Sequence, residues 1–399
     1  MNLILSQNNI QNKFSMKEIN ILIAEDDVVT QHLERSLLKM KGYHKLRIAG
    51  DGKTALEMIY EEPPDLLILD YFMPHKSGFD VLAEIKKNKR FKQIPIIFVT
   101  AVDDKSKLIE ALKSGATDYI TKPFDQAEFL ARIEAHARNY YLQKQLMEKN
   151  HQIKSDLEAA RKIQEALLPK NIPEIKNLNI EYLYRASNSV GGDFLDIIKL
   201  DNETVMFYIA DVAGHGVTSA LVTVFIREQM ANIMNSNNRD TLQPAEILNK
   251  LNHNYHKETN FIMDGMYLTI FCGKLDLKNY QLTYASAGHH SFPVLFDEKH
   301  SKYLSEMGVA IGFLENFSYT NHHEKLAKNQ KLFLHTDGLI ELKNSQHKMF
   351  GMKRLISLLK QHYHLDGLEL LKRIVQDGER YSEQKIFADD VAMILLDIS

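Results

Sequence analysis

Between Ile19 and about Arg138 the chain alternates short apolar runs with stretches whose apolar residues recur three and four apart. The runs are Ile19–Ala24, Leu46–Ala49, Leu66–Leu69, Ile96–Val99 and a weaker Tyr119–Thr121, and Val29–Met40 and Ser106–Lys113 are among the amphipathic stretches between them. This pattern predicts βα units around a buried parallel sheet. Residues 136–170 contain no glycine, and no proline before Pro169. Leu146, Ile153, Ala160 and Leu167 recur every seven residues, while Lys149 and Asp156 interrupt the companion seam of Leu142 and Ile163. The segment predicts a long helix that packs either on its own domains or along a second copy as a homodimer. From about Asn177 the texture changes to longer strands, Thr204–Ala210, Tyr267–Leu275, Tyr280–Ala285, Lys331–Thr336 and Val391–Asp397. Helical stretches at Ser219–Met234, Pro244–Tyr255 and Met352–Tyr363 interrupt them. This half predicts an α+β sandwich with substantial antiparallel sheet.

Composition narrows the class. A chain of 399 residues suggests two or three domains, and 44% hydrophobic with 25% charged residues is that of an ordinary globular protein. A net charge of −3 without a concentrated basic face argues against nucleic-acid binding. The single cysteine, Cys272, excludes an intrachain disulfide and a multi-cysteine metal site, which fits a cytoplasmic location. No apolar run reaches about 18 residues, so no membrane span is expected. Residues 1–16 are polar and Asn/Gln-rich and predict a disordered extension, with Met16 an alternative start.

The ends of the first domain's strands carry unusual chemistry. The first ends in Glu25-Asp26-Asp27, the third in Asp70-Tyr71-Phe72, the fourth in Thr100-Ala101 and the fifth in Lys122-Pro123-Phe124. Singly, such residues read as helix caps or loop residues. Jointly they place three carboxylates, a hydroxyl and a lysine at the edge where parallel sheets bind ligands, and clustered carboxylates call for a cation such as Mg²⁺. With these residues the segment 19–138 resembles the CheY-like receiver domain of two-component response regulators. The resemblance implies that Asp70 is the phosphoacceptor. It also implies that Glu25, Asp26, Asp70 and the Phe72 backbone carbonyl hold Mg²⁺, that Thr100 and Lys122 contact the phosphoryl group, and that Tyr119 is the aromatic switch. Pro123 would follow a cis peptide, and the donor would be a sensor histidine kinase or phosphotransfer protein.

In the second half, aspartates recur after strands or in glycine turns: Gly191-Gly192-Asp193-Phe194, Ala210-Asp211-Val212-Ala213-Gly214-His215-Gly216, Thr336-Asp337-Gly338 and Ala388-Asp389-Asp390-Val391. Each alone is most often a turn. The four together suggest carboxylates converging on divalent metal, with all-oxygen ligation favouring Mg²⁺ or Mn²⁺. Together with Ala160–Pro169, Ala285–His290 and Thr336–Glu341, they resemble the metal-dependent PPM (type-2C) serine/threonine phosphatases, in the bacterial branch of stage II sporulation protein E. The resemblance covers about residues 158–399. It implies two Mn²⁺ or Mg²⁺ ions about 3.5–4 Å apart, bridged by Asp211 and further held by the Val212 carbonyl, Asp337, Asp389 and, directly or through water, Asp193. Asp390 and Asp196 would be neighbours. The chain departs from the family in having no matching position for the phosphate-binding arginine of eukaryotic relatives, for which Arg185 is only a candidate. His215, His289 and His290 would have structural or substrate-side roles. The implied substrate is a phosphoserine or phosphothreonine protein, for instance an anti-sigma-factor antagonist.

The expected organisation is an extension over 1–16, a doubly wound five-stranded parallel receiver over 17–138, a helical linker over 139–170 and a phosphatase sandwich over 171–399. Two rival classes remain. Gly191–Phe194 echoes the diguanylate cyclase loop but lacks its second acidic residue, and a degenerate, non-catalytic phosphatase would act only as a binding module.

Overall fold

The computed structural model describes residues 19–101, 105–187, 190–214, 216–235, 241–259, 265–383, 387 and 389–399. The expected extension over 1–16 with Met16, and also His215 and Ala388, lie outside the described residues. The chain divides into two units, Met1–Gln152 and Ile153–Ser399.

In the first unit each apolar run becomes a strand: β1 (Asn20–Ala24), β2 (Lys45–Ala49), β3 (Leu66–Leu69), β4 (Ile96–Thr100) and β5 (Asp118–Thr121). They pair in parallel in the order β2-β1-β3-β4-β5. The intervening helices are α1 (Val28–Met40), α2 (Gly52–Glu61), α3 (Gly78–Lys87), α4 (Lys105–Lys113) and the 42-residue α5 (Gln126–Leu167). Their starts are capped: Asp27 accepts from the Thr30 N–H, Asp51 from Lys53 and Thr54, and Ser77 with Asp80 forms a capping box. Every residue of β1, β3 and β4 is buried because helices cover both faces. Leu22, Leu67 and Leu69 pack on Leu56, Ile59 and Leu82, while Ile21, Ile23 and Val99 pack on Leu38, Phe129 and Ile133. The strand order reverses beside β1, so the carboxyl ends of β1 and β3 open onto a crevice.

The second unit holds β6 (Leu178–Arg185), β7 (Asp193–Lys199), β8 (Thr204–Val212), β9 (Leu268–Asp276), β10 (Gln281–Ala287), β11 (Val294–Phe296), β12 (Ser301–Tyr303), β13 (His322–Lys325), β14 (Lys331–His335) and β15 (Val391–Ile398). Its helices are α6 (Val217–Met234), α7 (Pro244–Thr259), α8 (Asp337–Ile340), α9 (Gly351–Gln361) and α10 (Gly367–Ser382). The strands form two antiparallel sheets, β13-β10-β9-β8-β7 and β12-β11-β14-β15-β6. Side-chain alternation separates three cores. Val205, Phe207 and Ile209 of β8 meet Leu334, Ile394 and Leu396 between the sheets. Met206, Tyr208 and Ala210 turn to Ile226, Met230 and Leu248 of α6 and α7. Phe333, Met393 and Leu395 turn to Leu355, Leu371 and Ile374 of α9 and α10. The result is a four-layer sandwich in the expected α+β class. Cys272 is fully buried in the α6–α7 core, where burial pushes its thiol up to about 12. Among the described residues no helix is long and apolar enough to cross a membrane.

One core position breaks the apolar rule. Glu34 of α1 is completely buried, and neither carboxylate oxygen has a hydrogen-bond partner. Burial pushes its carboxyl up to about 8, and the charge of Glu25 acts in the same direction. Folded Glu34 therefore stays protonated where unfolded Glu34, near 4.5, is ionised. Its contribution to stability is fully present below about 4.5 and is lost as pH rises toward 8, at up to about 1.4 kcal/mol per pH unit. Glu34→Leu should flatten this slope and leave the first unit more stable than wild type at pH 8. Native-state hydrogen exchange of the β1 and β3 amides from pH 5 to 9 checks it, and a wild-type slope retained in Glu34→Leu would contradict the assignment.

Candidate functional site

At the carboxyl edge of the parallel sheet, Glu25 and Asp26 follow β1, Asp70 follows β3, Thr100 ends β4 and Lys122 follows β5. Lys122 Nζ donates to Glu25 Oε2 at 2.6 Å and to Asp70 Oδ2 at 2.7 Å, and the Phe72 N–H donates to Asp70 Oδ1 at 3.2 Å. One ligand oxygen each from Glu25, Asp26 and Asp70 lies within 4.8 Å of the others. Burial pushes the Glu25 carboxyl up to about 7, with the Asp70 charge adding to the shift and the Lys122 hydrogen bond opposing it. Thr100 is fully buried, and the Lys122–Pro123 peptide is cis. Tyr119 is partly buried and packs on the apolar core rather than on the carboxylates. Of the residues expected here, Glu25, Asp26, Asp70 and Lys122 are brought together in this cluster.

The second cluster is built by strand register. Asp193 opens β7 and Asp211 lies near the end of β8, and the two are directly paired across the antiparallel ladder. By parity both side chains share a face with Leu195, Val205 and Ile209, which looks toward the second sheet. From that sheet come Asp337, which starts α8 after β14, and Asp389, just before β15. The two turns touch: a Cβ on Gly338 would stand 1.9 Å from the Asp390 carbonyl oxygen, so only glycine fits beside Asp337. Asp211, Val212, Asp337 and Asp389 line one pocket of about 570 Å³ with Tyr267 and His290, and none of its described lining residues is lysine or arginine.

Electrostatics report the crowding. Burial raises Asp193 well above the carboxylate range, with Asp211 the next cause. Asp211 is pushed up to about 7 by burial and by the charges of Asp337, Asp389 and Asp390. Asp337 rises to about 6 through burial, Asp389 and Glu341. Asp193 is buried and Asp211 and Asp337 are partly buried; carboxylates that penalise one another's ionisation, with no lysine or arginine among the described residues lining the pocket, suit a hard divalent cation.

Other expected residues sort by their partners. Asp390 accepts from Gly192 N at 2.6 Å, Ser187 N at 2.8 Å and Ser187 Oγ at 3.1 Å, so it braces the loop before Asp193. Asp196 lies on the opposite face of β7, accepting from Ile197 N and the Tyr208 hydroxyl. Arg185 is bound to Glu379 at 2.6 Å and lies over the Phe387 ring, and it does not line the pocket. His289 is buried, and burial lowers it to about 3. Its Nε2 lies 3.1 Å from the His335 carbonyl oxygen, which assigns the proton to that nitrogen and leaves Nδ1 to accept from the Thr269 hydroxyl. It is a structural imidazole, whereas His290 is exposed at the pocket. Thr336 has a role that its place before Asp337-Gly338 does not reveal: its hydroxyl donates to Asp193 Oδ2 at 2.6 Å and accepts from Ala392 N at 3.0 Å, joining the two sheets.

Comparison with known proteins agrees with both halves. A family model of the response regulator receiver domain matches residues 21–134, and one of stage II sporulation protein E matches residues 201–399. Among solved structures, the SiaA-PP2C domain of Pseudomonas aeruginosa is 22% identical over 63% of this chain and 98% of its own, with a TM-score of 0.54. The PP2C phosphatase domain with a regulatory fragment of SpoIIE from Bacillus subtilis is 15% identical over 56% and 64%, with a TM-score of 0.46. The Francisella response regulator 1452 receiver domain is 29% identical over 30% and 98%, with a TM-score of 0.27.

Thr336→Val removes both hydrogen bonds of a buried hydroxyl. It should destabilise the second unit by about 1–3 kcal/mol, and Thr336→Ser should recover most of the loss. Urea denaturation of the three proteins checks this; equal midpoints would show that the hydroxyl does not hold Asp193.

Proposed function

From a chain that belongs to the response regulator receiver family over residues 21–134 and to the stage II sporulation protein E family over residues 201–399, and that is a metal-dependent serine/threonine protein phosphatase, we propose that phosphorylation of Asp70 controls hydrolysis at the Asp193–Asp211–Asp337–Asp389 site. The observation that carries this reading is the cross-strand opposition of Asp193 and Asp211, closed from the second sheet by Asp337 and Asp389. In this proposal Asp211 contributes to two divalent cations, Mn²⁺ or Mg²⁺. The Val212 carbonyl, Asp337 and Asp389 hold one of them together with it, and Asp193 serves the other directly or through water. Such ions, when bound, supply an activated water and neutralise phosphoryl charge. The chain's own part is orientation: Thr336 fixes Asp193, Gly338 lets the Asp337 turn lie on Asp390, and Asp390 braces Gly192.

In the receiver, Glu25, Asp26, Asp70 and the Phe72 carbonyl would hold Mg²⁺. Asp70 attacks phosphorus as a carboxylate nucleophile and becomes an acyl phosphate as the P–N bond to the donor's histidine breaks and the imidazole leaves; Lys122, already 2.7 Å from that carboxylate, offsets the incoming charge, and Thr100 contacts the phosphoryl group. Tyr119 is the aromatic switch, residues 139–170 are the linker, and the exposed Leu142, Leu146, Ile153 and Ile163 of α5 offer a homodimer seam. The donor is a sensor histidine kinase or phosphotransfer protein. The substrate is a phosphoserine or phosphothreonine on a cytoplasmic anti-sigma-factor antagonist or similar regulatory protein, a reading supported by the stage II sporulation protein E match.

Two outcomes are expected. Asp211→Asn and Asp337→Asn should each lower Mn²⁺-dependent hydrolysis of a phosphopeptide by roughly 10³-fold or more, the kinetic equivalent of several kcal/mol of lost charge stabilisation, with the fold retained by circular dichroism. Near-wild-type turnover in either folded variant at saturating Mn²⁺ would refute the site. Acetyl phosphate with Mg²⁺ should label the wild-type chain at Asp70 and leave Asp70→Asn unlabelled; acid-stable label persisting in the variant would move the phosphoacceptor to a hydroxyl elsewhere.

A further inference from the structure

The backbone leading into Asp193 is buried and enclosed. A Cβ on Gly191 would stand 2.4 Å from Asp390 Oδ2 and 2.5 Å from the Tyr184 hydroxyl, and one on Gly192 would stand 2.9 Å from the Val212 carbonyl oxygen. Gly192 N–H is taken by Asp390 and Gly192 O accepts from Val212 N at 3.2 Å. Gly191 has a different partner. Its N–H donates to Gln164 Oε1 at 3.0 Å, while Gln164 Nε2 donates to Gly191 O at 2.9 Å and to Thr223 Oγ1 at 3.0 Å. Thr223 is buried in α6, and its hydroxyl donates in turn to Ala220 O at 2.7 Å. Gln164 lies one turn before the end of α5. A primary amide is suited to this place because it offers an acceptor and two donors at once. A carboxylate could accept from Gly191 N–H but could donate to neither other partner, and an alkyl chain could do neither.

We propose that Gln164 is a positioning residue for the phosphatase site: its carboxamide fixes Gly191, and through Gly191 the Asp193 carboxylate, to the last turn of α5 and to α6. The proposal rests on the reading of Asp193 as a metal carboxylate. It makes the pose of α5's final turn a determinant of metal affinity. When the turn moves, Gly191 loses both backbone partners, the backbone entering Asp193 loosens although register and Thr336 still hold the residue, and affinity for the cation nearest Asp193 falls.

The test compares full-length wild type, Gln164→Leu and Gln164→Glu by three measurements: amide hydrogen exchange without metal, Mn²⁺ binding by calorimetry, and phosphatase activity against Mn²⁺ concentration. In Gln164→Leu, exchange at Gly191 should quicken and the weaker Mn²⁺ dissociation constant should rise, each by about tenfold, the equivalent of one lost hydrogen bond. The turnover number at saturating Mn²⁺ should stay within about twofold of wild type, since no group touching substrate has been removed. Gln164→Glu keeps the acceptor for Gly191 N–H, so its exchange there should stay close to wild type while its Mn²⁺ affinity falls between the other two. Unchanged Gly191 exchange and Mn²⁺ affinity in Gln164→Leu would overturn the proposal. So would exchange that quickens equally across β6, β8, β15 and α6, which would make Gln164 a general support of the fold. A wild-type chain that binds no Mn²⁺ would instead overturn the metal reading, and the metal-free exchange comparison would still decide whether Gln164 holds the loop.

Discussion

Two aspartates facing each other across an antiparallel ladder set the terms for the rest of the second unit. Opposed like charges on neighbouring strands are destabilising, and burial of Asp193 and Asp211 between two sheets sharpens the conflict. Around this pair the structure concentrates its positional precision: a threonine that joins the sheets, glycines where another turn comes too close for a side chain, and an aspartate spent on bracing a loop. The Thr336 hydroxyl offsets part of the penalty on Asp193, and the other devices leave the repulsion as it is. They keep the carboxylates from relaxing away from one another, which is the condition for a cation to gain from all of them at once.

The receiver meets the same difficulty differently. Glu25, Asp26 and Asp70 also crowd together, yet Lys122 reaches into the cluster and hydrogen-bonds two of the three. Part of the charge is therefore answered from within the chain. In the proposed phosphorylation of Asp70, this internal cation would exchange its carboxylate partners for the incoming phosphoryl group. In the second unit the described lining of the carboxylate pocket carries no such lysine or arginine, so under the proposed function its charge would be answered by ions from solution.

How much of this was visible in the chain follows from how each element is buried. β1, β3 and β4 are covered on both faces, so they read as nearly unbroken apolar runs, β1 and β3 followed by acids and β4 ending in Thr100. β6 is an edge strand with mixed burial, and β11, β12 and β13 are three or four residues long, too short for a period to register. α10 was missed because Gly378 interrupts an otherwise helical pattern, although that glycine is where the helix comes against Leu342. Asp337 and Asp389 stood out through their turns. The work of Asp390 did not, because its partners Ser187 and Gly192 lie about 200 residues away in the chain and no local pattern encodes such a pairing. His289 could not be told from His290 by sequence, and burial separates them.

Cys272 has a practical consequence. It is the chain's single cysteine, it has no exposed surface, and its thiol stays protonated at any pH the protein would meet. Thiolate-directed reagents act on exposed, ionised sulfur, so the native chain is silent toward them. A cysteine introduced anywhere on the exposed face of α5 would be the one reactive thiol in the molecule. Spin labels or fluorophores could then report on that helix without first removing a native residue from the core.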